Sequence, residues 1–219
     1  MRLSKTSLGV VVTALVTLAG GGMLTAAAPE AAAIAPLAFK APGGPVVPQA
    51  GTFGCQQPSS TIHCYSPQDI RSAYGVDQLP EQGSGQTIVL VDSYGSPTAA
   101  QDLQTFHDTF FPSGPNPSFE ELYQGPNGFS NSNGQGLSGS GAAAGWSGEA
   151  TLDIEWAYAI APQAHIVLLA VPPAETEGVQ GFPDLFKGIS DAVQMFPAGT
   201  VFSMSFGVTE QTFGGAPQQ

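Results

Sequence analysis

Residues 87–91 read Thr-Ile-Val-Leu-Val, an apolar run without a polar break and mostly β-branched. A strand with one wet face alternates apolar and polar residues. An unbroken run therefore reads as a strand covered on both faces, the condition of a parallel sheet between layers of helix. Similar runs return at 165–171 and 200–206. Helical signals lie around them. Ser66 caps a short helix with Pro67 in its first turn, Ile70, Ala73 and Tyr74 on its inner side and Gly75 as its stop. Residues 96–98 open a second helix, with Leu103, Phe106 and Phe110 on one stripe. Residues 182–196 form another, with Leu185, Ile189, Ala192, Val193 and Phe196 inward. A short strand fits 119–123. This alternation predicts an α/β fold with a doubly wound, mostly parallel sheet. The turn after the first run, Asp92 to Pro97, lacks the glycine spacing of a dinucleotide or phosphate loop. Asp92 itself stands at a strand's carboxyl end, where ligand sites of open α/β sheets gather, although an Asp leaving a strand is more often a turn residue.

The N-terminus has the composition of an export signal. Arg2 and Lys5 precede an apolar run over 8–18, and small residues follow at 26–28 and 31–33. The run is short for a membrane span. The expected organisation is a signal over 1–28, an Ala/Pro/Gly-rich linker or pro-segment remnant over 29–53, and the folded part over 54–219. The expected product is secreted, monomeric and free of the membrane after cleavage. The formal charge is −12, and beyond the signal only Lys40, Arg71 and Lys187 are basic. That balance argues against nucleic acid and anionic membranes as partners. It also leaves few ion pairs to lose in acid. Cys55 and Cys64 are the two cysteines, and a close pair in an exported chain is expected to form a disulfide.

Residues 146–162 read as a helix that places Glu149 and Asp153 one turn apart on one side. Like charges at that spacing repel. Two readings offset the cost. Both acids could lie in the first turns, where the positive helix end favours carboxylates. Alternatively, the pair shares a proton, so that one carboxyl is an acid while the other is a base. Leu152, Ile154, Trp156, Tyr158 and Ile160 make the other faces apolar. A loop rich in Gly, Ser and Asn over 125–145 leads into the helix, and Pro162 stops it.

Four segments, 64–76, 85–98, 148–162 and 201–207, together resemble the sedolisins, the serine-carboxyl peptidases. The Glu-x-x-x-Asp helix is the specific part of the match. The resemblance implies a truncated subtilisin-like fold and a secreted endopeptidase acting on proteins or peptides in acid. It implies Glu149 as the general base and Asp153 as its partner. Ser205, Phe206 and Gly207 are implied as the strand edge on which a substrate peptide pairs, with the aromatic ring lining a pocket. The family's serine nucleophile turn, its oxyanion aspartate and its calcium site have no match in these 219 residues. No cofactor is expected within this stretch, and calcium belongs with the missing C-terminal part. The reading is thus the N-terminal portion of a catalytic domain, inactive alone. Ser203 and Ser205 read as residues of a buried strand, poorly placed as nucleophiles.

A secreted, non-catalytic peptide-binding module is the alternative. A two-carboxylate glycosidase fits less well, because its acids face each other across a sugar. His63, His107 and His165 read as structural or exposed, and Glu155 as a solvated or hydrogen-bonded helix residue. Trp146 and Trp156 read as core or pocket wall.

Overall fold

The two longest apolar runs pair side by side at the centre of a five-stranded sheet. In the computed structural model the described residues are 53–57, 59–61, 64–125, 128–130, 141–171 and 181–207, with the backbone of Ala35–Pro36. They fall in one unit, Ala31–Gln219. The strands are β1 (Ala35–Pro36), β2 (Thr87–Ser93), β3 (Ser118–Gly125), β4 (Gly128–Ser130), β5 (His165–Val171), β6 (Val201–Ser203) and β7 (Phe206–Gly207). The helices are α1 (Pro67–Tyr74), α2 (Ala99–Phe110), α3 (Gly141–Ile160) and α4 (Phe182–Met195). The main sheet has the order β4-β3-β5-β2-β6. β3, β5, β2 and β6 are mutually parallel, and β4 turns back antiparallel on β3. β1 and β7 form a separate antiparallel pair.

The alternation of strand side chains explains why β2 and β5 are apolar throughout. Leu90, Ile166 and Leu168 enter one core with Leu103 and Phe106 of α2 and Ile154 and Tyr158 of α3. Val89, Val91, Val167, Leu169 and Val171 enter the other, with Leu185 and Ala192 of α4. Both faces of the sheet are therefore covered, as the sequence requires.

Several expectations change in detail. α3 starts at Gly141, inside the stretch read as loop; residues 131–140 lie outside the described part. β3 runs on to Gly125 and is followed by β4. In α1 the cap holds: the Asp69 N–H donates to Ser66 Oγ (3.1 Å), and the Ser66 N–H donates to Asp69 Oδ2 (2.8 Å). However, Ala73 and Tyr74 face solvent, and Pro67 is the buried residue of that helix. Such a short helix packs only a narrow strip. Val193 of α4 is likewise exposed, while Leu185 and Ala192 carry the contact. The run over 200–206 is not one strand. It breaks at Met204 and Ser205 between β6 and β7. Cys55 and Cys64 are joined as a disulfide, with Cα atoms 5.4 Å apart. Among the described residues no helix is long and apolar enough to cross a membrane. The signal over 1–28 and His63 lie outside the described residues.

Candidate active site

α3 is the element that builds the site. Its 20 residues pass from one core to the other. Ala143 and Trp146 belong to the core on the α4 side of the sheet. Ala150, Ile154, Tyr158 and Ala159 belong to the core under α2. The turn between Trp146 and Ala150 therefore lies where the two cores meet, at a rim of the sheet, and Glu149 sits in that turn. Two hydrogen bonds say which rim. Ser147 Oγ donates to Ser96 Oγ at 2.8 Å, and Ser96 follows the carboxyl end of β2. Ser205 Oγ donates to Asp153 Oδ2 at 2.7 Å, and Ser205 follows the carboxyl end of β6. β2 and β6 are parallel neighbours. Asp153 is thus tied through Ser205 to the carboxyl end of β6, and the opposite face of the same stretch of α3 is tied through Ser147 to the carboxyl end of β2, the rim where α/β sheets place their ligands.

The start of α3 at Gly141 removes the first-turn explanation for the acidic pair. Glu149 is the ninth residue of the helix, and no acid occupies its first turn. Helix-end electrostatics fade within a turn, so they do not account for a carboxylate this far in. Glu149 is nonetheless only 3% exposed. Asp153 is half-buried; burial pushes its carboxyl above the ordinary value, and the Ser205 hydroxyl pulls part of that shift back. The geometry brings Glu149, Asp153 and Ser205 together through one helical turn and one hydrogen bond. Ser205 is therefore not a residue of a buried strand, as its sequence suggested, but a partly buried residue between β6 and β7 bonded to a carboxylate. Phe206 is partly buried against the α4-side core, and Gly207 is exposed.

The loop leaving β2 is shaped by backbone that few residues adopt. Tyr94 has φ 62°, the left-handed region, and its N–H donates to Val171 O at 3.2 Å. Gly95 follows with φ 65°. The next N–H, of Ser96, donates to Glu121 Oε1 on β3 at 2.8 Å. Burial raises the Glu121 carboxyl, against the lowering effect of the Ser96 N–H and Tyr123. Asp92 lies just before this loop with no exposed surface. It is the buried end of β2 and stands at the same rim. Ser96, Ser147 and Glu121 were not singled out from the sequence. Only the Ser96-Pro97 turn start hinted at them, and their meeting depends on sheet order.

The remaining expectations resolve as packing. His107 is buried with its Nδ1 2.8 Å from Asp108 Oδ1, and Ser118 Oγ lies 2.9 Å from His165 Nδ1. Trp146 is core, and Trp156 packs at the edge of the α2-side core. Glu155, read as a solvated or hydrogen-bonded helix residue, is half-buried. It lines a pocket between α2 and α3 with Asp102, and burial first, then Asp102, push its carboxyl up to about 7. Among the described residues no cluster of three or more His, Cys, Asp or Glu side chains could hold a metal ion. Compared with known proteins, the chain matches no family model, no curated protein and no solved structure.

Proposed function

We propose that this chain carries the acid–base half of a serine-carboxyl peptidase site of the sedolisin type, on a subtilisin-like sheet, in a protein exported by its N-terminal signal. The observation that carries the reading is a buried glutamate in mid-helix, one turn from a carboxylate whose proton affinity burial has raised, both at the carboxyl-end rim of a parallel sheet. In this reading Glu149 takes the proton of a serine hydroxyl as that serine attacks the scissile carbonyl. Asp153 holds a proton against Glu149, so the pair carries one negative charge rather than two, a state favoured in acid. Ser205 fixes the Asp153 carboxyl by its hydrogen bond. The attacking serine and the oxyanion donor are supplied by segments for which this sequence has no motif.

The substrate edge is assigned to Ser205, Phe206 and Gly207. An extended piece of this chain, Ala35–Pro36, lies antiparallel on Phe206–Gly207, in the register Ala35 with Gly207 and Pro36 with Phe206. A protein or peptide substrate would pair there in the same way, through its backbone. That pairing also supports the second reading, a secreted module that binds extended peptides without cleaving them.

The test is hydrolysis of a quenched fluorescent peptide at acidic pH. It compares this chain with a longer product that continues into downstream coding sequence, each with Glu149 intact and as Glu149→Ala. The expected result is cleavage by the longer product alone, reduced by at least about 100-fold in Glu149→Ala. Cleavage that persists after Glu149→Ala would remove the mechanism. Peptide binding by this chain, with no cleavage by either product, would favour the binding module.

A further inference from the structure

We propose that the seam between α2 and α3 is an acid latch, in which Glu155 and Asp102 share one pocket and the helices, already joined by their core, are held more firmly while Glu155 carries its proton. This goes beyond the peptidase reading and rests on a different face of α3. Glu155 lies two residues past Asp153, about 200° further around the helix.

The pocket has a volume of about 340 Å³ and includes Phe53, Phe106, Phe110 and Thr151 with the two acids. Phe110 stacks on Phe53 at 5.3 Å and packs on Phe106 at 4.9 Å, so three aromatic rings form part of the wall, beside Thr105 and Thr109. Asp102 accepts hydrogen bonds from Thr98 Oγ1 at 2.7 Å and Thr151 Oγ1 at 3.4 Å, one from each side of the seam. A second carboxylate in the same pocket adds a like charge among aromatic rings, which solvate it poorly.

Among the described residues, the ionisable groups on the neighbouring elements are engaged elsewhere. On α1, Arg71 is bound to the carbonyl oxygens of Ala159 and Ile160 and to Gln82, and Asp69 closes its own helix cap with Ser66. On α2, His107 pairs with Asp108. On α3, Asp153 accepts from Ser205, and Tyr158 Oη donates to Pro115 O at 2.7 Å. Under the helices, β2 contributes the buried Asp92, and β5 has His165 beside Ser118.

The sign follows from linkage. Glu155 has a folded-state pKa of about 7, above its ordinary value of 4.5. Its stabilising effect is complete below the ordinary value and is lost as pH rises through the folded one. Because α3 also carries Glu149 and Asp153, the helix bearing the candidate site is held most firmly in acid.

The experiment follows thermal unfolding of the full chain from pH 4 to pH 8, for the unmodified protein, Glu155→Gln and Asp102→Asn. Carboxyl-carbon NMR of glutamate-labelled protein reports the Glu155 midpoint directly. Expected is a fall in Tm toward pH 8 that Glu155→Gln makes shallower, by about a tenfold change in the folded-to-unfolded ratio after allowance for solvent screening. Asp102→Asn should move the Glu155 midpoint down from about 7. If Glu155→Gln does not fold, the Asp102→Asn midpoint still decides. A Glu155 midpoint at the ordinary glutamate value, or one that Asp102→Asn leaves in place, overturns the latch. So does a Glu155→Gln protein with an undiminished slope.

Discussion

At the scale of single residues, the site is governed by who donates to which carboxylate. Burial raises the Asp153 carboxyl, and the Ser205 hydroxyl works against that rise. Removing the hydroxyl with Ser205→Ala is expected to push the Asp153 midpoint higher still, readable in an NMR titration of the aspartate carboxyl carbons. An unchanged midpoint would mean that the bond does not hold in solution. Gly95 makes a second test. A Cβ there would sit 2.8 Å from Ala170 Cβ and press on the Glu121 carboxylate, at φ 65°. Gly95→Ala is expected to cost about 1–3 kcal/mol in denaturant unfolding, since strain and overlap act together. Tyr94 already tolerates the left-handed region beside it, where its backbone is tied to β5 and its side chain is buried.

At the scale of elements, α3 is held at two points. Trp146, 2% exposed, anchors its front in the α4-side core, while Ile154 and Tyr158 anchor its middle under α2. Glu149 lies between the anchors, so its position depends on both. Trp146→Ala is expected to lower stability by about 3–5 kcal/mol, the range for a deleted core aromatic. It should also free the front of the helix, seen as faster amide exchange before Ala150 than after it. Uniform loss of protection along α3 would contradict the two-anchor account. α4 is held more lightly: Leu185 and Ala192 are buried, while Phe186, Val193 and Met195 face outward. Gly188 lets α4 approach β5, because a Cβ there would meet Val171 Cγ1 at 2.8 Å.

At the scale of the molecule, charge and burial act in the same direction. The formal charge is −12, so the native state repels itself more as carboxyls ionise. Asp153, Glu121 and Glu155 all have carboxyls raised by burial, and each loses its contribution to stability as pH rises through its folded-state value. Asp69 and Asp108 are lowered, through Ser66 and His107 respectively, but both sit in solvent where such effects are small. Stability is therefore expected to be greater near pH 4–5 than near pH 8. Added salt should raise Tm more at pH 8 than at pH 4.5, because it screens repulsion that acid has already relieved. Scanning calorimetry at two pH values and two salt concentrations checks both signs.

The amino-acid sequence by itself determined the layered sheet, because apolar runs such as 165–171 can be satisfied only with both faces covered. It also determined the α1 cap, the disulfide partners and the pairing of Glu149 with Asp153 on one helical side, all of which depend on neighbours close along the chain. The start of α3 was not legible, because a stretch rich in Gly, Ser and Ala has no helical periodicity to mark a boundary. What only tertiary structure decided joins residues far apart in sequence: Ser205 on Asp153, Ser147 on Ser96, and Glu155 beside Asp102. Strand order and helix packing set those meetings, and with them the electrostatic environment of each carboxyl. A carboxylate's proton affinity is a property of its surroundings, and those exist only once the sheet and its helices have closed around it.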